Sequence, residues 1–117
     1  MRSRLARVLP IAAIFVAGAR FAVHATDLER AKGLYASRCA FCHGSAGKGD
    51  GPAGAALKPP PTNFADSAYW KTASSDSVKS AIENGKPATA MMPFKAALRA
   101  DEIDDLVVYI RTFTPQP

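Results

Sequence analysis

The stretch from residue 44 to residue 61 limits the possible folds of this chain more than any other feature. It contains five glycines and four prolines in eighteen residues, in a sequence of only 117 residues. Gly and Pro at this density exclude a long helix or strand. The stretch is therefore a loop, either ordered or disordered, and a loop of this length is uncommon in a compact domain.

Three segments outside this loop have the periodicity of helices. The first runs to Cys39 and opens with residues 26–29, Thr-Asp-Leu-Glu, which match a capping box with Thr26 as the cap. The second has serine and aspartate caps at residues 74–76 and stops at Asn84-Gly85. The third has apolar residues at positions 103, 106, 107 and 110 and ends before Pro115. No alternating strand pattern occurs, so the sequence predicts an all-α fold.

The first 25 residues are typical of a cleaved signal peptide. Four arginines surround an apolar run, Val8 to Ala19, and Val23-His24-Ala25 supplies the small residues before a cut. An uncleaved anchor is the alternative, but twelve helical residues span only about 18 Å of a hydrocarbon core of about 30 Å. We therefore predict export, a single domain over residues 26–117, and no stable membrane anchor.

The charge that remains after cleavage argues against a nucleic-acid partner. The full chain carries a formal charge of +5, but without the four N-terminal arginines eleven basic residues face ten acidic ones. A net charge of +1 gives no electrostatic basis for binding a polyanion.

The core of the domain needs more than side chains, because three helices and a long loop offer few side chains to fill it. A disulfide or a metal commonly helps such small domains.

The segment Cys39-Ala40-Phe41-Cys42-His43 supplies the chemistry that could complete this core. The C-x-x-C-H string is typical of covalent c-type haem attachment. Each thiol can add to one vinyl group of the porphyrin, and the adjacent imidazole then lies below the iron. The sequence therefore predicts one haem c per chain, bound through Cys39 and Cys42, with His43 as the proximal iron ligand.

Three other interpretations of these residues are less favoured. A thioredoxin-type redox pair would need a βαβ context, which the helical pattern lacks. A zinc site needs four ligands, and His43 is the only histidine left after cleavage. A disulfide between Cys39 and Cys42 is possible in an exported protein, although it would close too small a loop to tie two elements together.

Two methionines are the available thioethers for the second axial position. Met91 and Met92 are the only methionines after residue 25, and no other histidine remains there. We favour Met92 as the distal iron ligand, because Pro93 restricts it to an extended backbone that can hold a loop side chain towards iron. Met91 remains the alternative, and both could instead fill the core.

Over residues 27–113 the chain resembles the mono-haem class I cytochromes c of the bacterial periplasm. The match lies in the order and spacing of short motifs along the whole segment. They are Gly33 and Tyr35, Cys39-Ala40-x-Cys42-His43-Gly44, residues 47–52, residues 57–61, Asn63-Phe64, Ile82, Gly85, Met92-Pro93, Leu98, Ile103, Leu106, Tyr109 and Ile110.

The resemblance implies a small class I cytochrome c fold, with three main helices and loops around one covalent haem. It implies that the first and last helices cross closely, with Gly33 allowing the approach and Tyr109 packing over it. It also implies that a carbonyl of the stretch Pro59–Pro61 accepts the far imidazole proton of His43. Arg99 departs from the family pattern, because it occupies a helix cap where Ser or Thr is usual.

The function implied is that of a periplasmic electron carrier rather than an enzyme. Haem iron with His and Met ligands has no open position for a substrate. The partners implied are redox proteins, a periplasmic dehydrogenase as donor and a terminal oxidase or reductase as acceptor. The alternative function is a haem enzyme or gas-binding sensor with an open or labile sixth iron position. A fixed subunit of an oxidoreductase complex would share the carrier's chemistry.

Charge is unevenly distributed along the exported chain. Residues 44–99 carry a net charge of +3, whereas residues 100–117 carry −3. We therefore expect some of Lys48, Lys71, Lys86 and Lys95 to border the haem edge and to steer the protein weakly towards acidic partners.

Overall fold

The computed structural model describes residues 25–115, and these residues form helices and loops with no strand. The predicted all-α fold is therefore confirmed. The predicted signal peptide lies almost wholly outside the described residues. The helices are α1 (Leu28–Arg38), α2 (Ala40–His43), α3 (Ser75–Asn84) and α4 (Ala100–Arg111), with 3-10 turns at Gly54–Ala56 and Tyr69–Lys71.

Helix α1 begins one residue later than the capping-box pattern predicts. Asp27 is the cap, and its carboxylate accepts a 2.9 Å hydrogen bond from the Arg30 amide. The prediction that Thr26 caps the helix was wrong, because the neighbouring aspartate is an equally good acceptor and occupies the cap position instead. After the helix ends at Arg38, Cys39 makes a one-residue break, and the short helix α2 follows.

Helix α3 has the bounds that its capping residues predict. The Ser77 amide donates to the Ser74 hydroxyl over 3.1 Å, and the Ser74 amide donates to the Ser77 hydroxyl over 3.0 Å. This reciprocal pair satisfies two amides at the start of the helix. The helix ends at Gly85, whose φ of +70° lies in the left-handed region.

Helix α4 begins after Arg99, which has no acceptor atom to offer the first amides. The Glu102 carboxylate nevertheless accepts a 2.9 Å bond from the Arg99 amide. The Arg99 guanidinium contacts both Asp101 and Glu102. The departure at Arg99 therefore removes one half of a capping box and leaves the other half in place.

The core lies where α4 packs against α1 and α3. All four apolar positions predicted for α4 are buried, which confirms its inward face. The buried cluster comprises Tyr35, Phe64, Val78, Ile82, Leu98, Ile103, Leu106, Val107 and Ile110. Ion pairs bridge the same helices: Arg30 of α1 contacts Asp105 at 2.5 Å and Asp101 at 3.1 Å, and Lys79 of α3 contacts Asp104 at 2.6 Å.

The small residue between α1 and α4 is Ala31 rather than Gly33. Ala31 is completely buried, whereas Gly33 is exposed and a Cβ built on it meets no atom within 4 Å. The implied role of Gly33 in the helix crossing was therefore wrong. Ala31 precedes Tyr35 by four residues and shares its helix face, whereas Gly33 precedes it by two and does not. Tyr109 does pack at this crossing, with its ring 5.5 Å from that of Tyr35.

Among residues 25–115, no helix combines the length and the apolar character needed to cross a membrane.

Candidate functional site

The attachment motif occupies the turn that begins where α1 ends. Cys39 and Cys42 are both free, and both line the same cavity. Because α2 is a single helical turn, two side chains three residues apart lie on the same face. Burial raises the pKa of the Cys39 thiol to about 11. The structure therefore presents both sulfurs to one cavity, and burial keeps the Cys39 thiol uncharged.

The Gly- and Pro-rich loop after the motif is ordered by hydrogen bonds to the end of α2. The amides of residues 49, 51 and 53 donate to the carbonyl oxygens of residues 43, 42 and 41 over 2.7, 3.1 and 2.9 Å. Carbonyls at the C-terminus of a helix have no partner within the helix, so a chain that folds back can use them. Of the two alternatives that the sequence left open, the ordered loop is the correct one.

The His43 imidazole is oriented by the backbone beyond this loop. Its Nδ1 lies 3.2 Å from the carbonyl oxygen of Thr62. Since a carbonyl oxygen can only accept, Nδ1 carries the proton and Nε2 keeps the lone pair that a metal ion needs. The implied acceptor within Pro59–Pro61 was wrong by one residue, and nothing in the sequence distinguishes these neighbouring carbonyls.

The environment of His43 favours the neutral imidazole. Burial lowers the pKa of His43, and the hydrogen bond to Thr62 opposes this effect without overcoming it. The imidazole also stacks on the ring of Phe64, with centroids 4.9 Å apart. Phe64 is itself buried and accepts a 2.8 Å bond from Trp70 Nε1 at its carbonyl oxygen. The His43 ring is therefore held by the hydrogen bond at Nδ1 and by the stacking of one face on Phe64.

The cavity beside the motif has a volume of about 790 Å³. Its lining includes Cys39, Cys42 and His43 of the motif, together with Met91 and Met92. Most of the remaining lining is apolar and comes from the proline-rich loop, α3 and the aromatic side chains at 64, 69 and 94. This volume lies in the upper part of the range for sites that bind cofactors. All four predicted site residues therefore come together.

The two methionines differ in their surroundings. Met91 is partly buried against the core cluster. Met92 is 62% exposed, although it also lines the cavity. Met92 thus has a thioether that few protein atoms cover. Both methionines line the cavity.

The charged rim of the cavity is basic. Arg38 and Lys86 line it, and no Asp or Glu of the described residues does. Of the four lysines expected near this edge, Lys48, Lys71 and Lys95 do not line the cavity. The four acidic residues of α4 lie in ion pairs with Arg30, Lys79 and Arg99. The acidic end of the sequence is therefore largely neutralised.

The donor set fits a covalently bound haem. Two thiols on one helical turn, an imidazole with a free Nε2 and thioethers that line the same cavity suit a porphyrin that would be bonded at its edge and ligated at its iron. A zinc site is not supported, because among residues 25–115 no three His, Cys, Asp or Glu side chains cluster to hold a metal ion. Fold and site together define a c-type cytochrome.

Comparison with known proteins agrees with this class. The family model described as Cytochrome c matches residues 28–114, and the chain belongs to the cytochrome c family. This family binds haem c covalently and transfers electrons through it, as the C-x-x-C-H motif predicts. A search of curated proteins finds no match.

Solved structures include several similar c-type cytochromes. The KustC0563 c-type cytochrome is 31% identical, with a TM-score of 0.61, over 73% of this chain and 98% of that one. A chain of the Kuenenia stuttgartiensis reducing HAO-like protein complex Kustc0457/Kustc0458 is 26% identical, with a TM-score of 0.64, over 74% of this chain and 42% of that one. The c-type cytochrome NirC, 21% identical with a TM-score of 0.55, supports the fold alone.

Proposed function

We propose that the chain is a periplasmic carrier of single electrons that holds one haem c between His43 and Met92. The observation that carries this proposal is the shared cavity, which is lined by both cysteines, by an oriented imidazole and by the methionine thioethers. Haem iron supplies one-electron chemistry between the ferrous and ferric states when it is bound. The remaining tasks fall to the protein.

Each of the four site residues has a separate role. The Cys39 and Cys42 sulfurs would hold the porphyrin edge covalently. His43 offers Nε2 because Nδ1 donates to Thr62. Met92 lines the same cavity and would offer its thioether as the second ligand, and a His and Met ligand pair favours a high reduction potential. If His43 and Met92 both ligate the iron of a bound haem, no ligand position would remain for a substrate, which favours a carrier over a catalyst.

The partner surface is the rim of this cavity. Arg38 and Lys86 place positive charge there, and the described residues place no carboxylate among the lining side chains. We therefore expect acidic redox partners, such as a periplasmic dehydrogenase as donor and a terminal oxidase or reductase as acceptor. Reduction by anionic ferrocyanide should slow as salt rises, and more so in the wild type than in Lys86→Glu. Lys32→Glu, on the exposed side of α1, is the matched control.

A fixed place in an oxidoreductase complex is the second form of the same function. It is supported by the likeness to a chain of the Kuenenia stuttgartiensis complex, of which this chain spans less than half. Purification from the native host distinguishes the two forms. A carrier elutes alone, whereas a subunit elutes with its enzyme.

The central experiment is a pyridine haemochrome spectrum and intact mass of protein exported by its own residues 1–25 in a host with haem-ligation machinery. The expected result is one covalent haem per chain, cleavage after Ala25, and no haem in a Cys39→Ala, Cys42→Ala double variant. A mass equal to that of the polypeptide alone would refute the proposal.

Ligation is tested in the same material. Met92→Ala should lose the near-infrared band of a thioether bound to ferric iron and should bind cyanide rapidly, whereas Met91→Ala should behave as the wild type. The opposite result would assign Met91. Rapid carbon monoxide binding by the wild type would instead favour the gas-binding or enzymatic alternative.

A further inference from the structure

The methionines belong to a loop that is held at both ends. At its start, the Lys86 amide donates to the Met91 carbonyl oxygen over 3.1 Å. At its end, the Phe94 amide donates to the Ile82 carbonyl oxygen over 2.8 Å. These bonds attach the loop to itself and to the end of α3. They do not by themselves fix the backbone between residues 87 and 90.

That middle section contains an unfavourable turn. The Thr89 amide lies 3.3 Å from the Lys86 carbonyl oxygen, which closes a four-residue turn with Pro87 and Ala88 at its centre. Ala88 has a φ of +61°, in the left-handed region that non-glycine residues seldom adopt. Proline followed by a residue with positive φ is the type II pattern, which ordinarily has glycine at the second of these positions. Other contacts must therefore maintain this turn.

The Thr89 hydroxyl supplies those contacts. It donates a 2.8 Å hydrogen bond to the Lys86 carbonyl oxygen and accepts a 3.1 Å bond from the Met91 amide. One side chain thus joins the first residue of the turn to the first methionine. It is half-buried and belongs to the lining of the cavity. Among the described residues, no other side chain bonds to the backbone of both Lys86 and Met91.

From this geometry we infer that Thr89 is a positioning residue for the axial methionine. Its hydroxyl holds the turn closed, and the closed turn would keep the methionine loop in place to ligate the iron of a bound haem. The inference rests on the proposed function, because it concerns how firmly a methionine of this loop binds iron. Thr89 itself is neither an iron ligand nor a group that is oxidised or reduced. Its effect is on the cost of opening the loop.

The test uses imidazole, which competes with the thioether for ferric iron in the haem-loaded protein. Thr89→Val keeps the shape of the side chain and removes both hydrogen bonds. We expect it to bind imidazole about tenfold more tightly than the wild type, since two ordinary hydrogen bonds no longer oppose loop opening. Its near-infrared thioether band should weaken. Thr89→Ser, which keeps the hydroxyl, should restore both properties.

The matched control is Thr112→Val at the end of α4. Its hydroxyl also donates to a backbone carbonyl three residues earlier, that of Tyr109, but it lies outside the cavity lining. It should leave imidazole affinity unchanged. Circular dichroism confirms that each variant keeps its helices. If Thr89→Val does not accumulate, Thr89→Ala compared with Thr89→Ser makes the same measurement.

Two negative results are distinguishable. If the wild type has the thioether band and Thr89→Val matches it in band and imidazole affinity, the role of Thr89 is refuted and the ligation is not. If the wild type lacks the band, and neither Met91→Ala nor Met92→Ala alters imidazole affinity, methionine ligation itself is refuted and this inference with it.

Discussion

The Tyr35 hydroxyl donates a 2.7 Å hydrogen bond to the carbonyl oxygen of Gly44, the residue that follows His43. Tyr35 is 1% exposed, and its ring packs against those of Tyr109 and Phe113 at 5.5 and 5.0 Å. Burial raises the pKa of this phenol well above its ordinary value, so it remains a proton donor at physiological pH. The middle of α1 is thereby tied to the end of the attachment motif.

Tyr35→Phe should lower the free energy of unfolding by about 1–2 kcal/mol, because the buried Gly44 carbonyl loses its partner while the ring packing is kept. Denaturant titration of the haem-loaded protein, followed by circular dichroism, measures this loss. Tyr109→Phe is the control, because it removes a hydroxyl from the neighbouring ring that packs against Tyr35. Equal losses in the two variants would mean that the Gly44 bond contributes nothing.

The sequence predicts the features that depend on local pattern. The helices around residues 28–38, 75–84 and 100–111 follow from caps and apolar spacing, and the buried face of α4 follows from its period. The four site residues follow from the C-x-x-C-H string and the scarcity of other ligands. The cavity brings all of them together, and the family match agrees with the c-type assignment.

Features that depend on contacts between distant backbone groups could not be predicted in the same way. Whether the loop after His43 is ordered depends on the carbonyls of α2, which no periodicity reveals. The same holds for Thr62, one residue beyond the prolines. Ala31 is different, because its spacing of four from Tyr35 already indicates a shared helix face. The sequence therefore already contained the spacing that places Ala31, rather than Gly33, on the face of α1 that Tyr35 occupies.

The ion pair between Arg30 and Asp105 joins α1 to α4, and Asp105 is 1% exposed. Asp105→Ala should destabilise the fold, because it removes the most buried partner of the Arg30 guanidinium and leaves only Asp101. Thermal unfolding of the haem-loaded variant measures the loss. Asp104→Ala removes an exposed partner of Lys79 and should cost far less. Similar losses in both variants would argue against a special role for the buried pair.

Acid stability should depend on Asp101. Its hydrogen bonds to Arg99 lower the pKa of its carboxyl to about 2, below the value of about 4 in an unfolded chain. A pKa that is lower in the folded state stabilises the fold above pH 4, and this stabilisation disappears as the pH falls towards 2. Asp101→Asn should therefore show a weaker fall in denaturant midpoint between pH 5 and pH 2. An equal fall in the wild type and in the variant would contradict this role of Asp101.

Gly85→Ala should displace the methionine loop. A Cβ at Gly85 would lie 2.7 Å from the Met91 carbonyl oxygen and 3.0 Å from the Pro93 nitrogen, and the φ of +70° is itself unfavourable for alanine. We expect a loss of about 1–2 kcal/mol in the free energy of unfolding, together with a weakened thioether band. Near-infrared absorption of the ferric protein checks the second effect. An unchanged band would show that the loop can shift without moving the ligand.

Ala31 and Gly33 of α1 should respond in opposite ways to a larger side chain. Gly33→Ala should raise the free energy of unfolding by about 0.5–1 kcal/mol, since the new methyl group meets no atom within 4 Å and alanine favours the helix. Ala31→Val should lower it by about 1–3 kcal/mol, because Ala31 is completely buried where α1 meets α4. Denaturant midpoints of the two variants should therefore move in opposite directions. If Gly33→Ala were the destabilising one, the close approach would lie at Gly33 and the register of α1 against α4 would differ from that described.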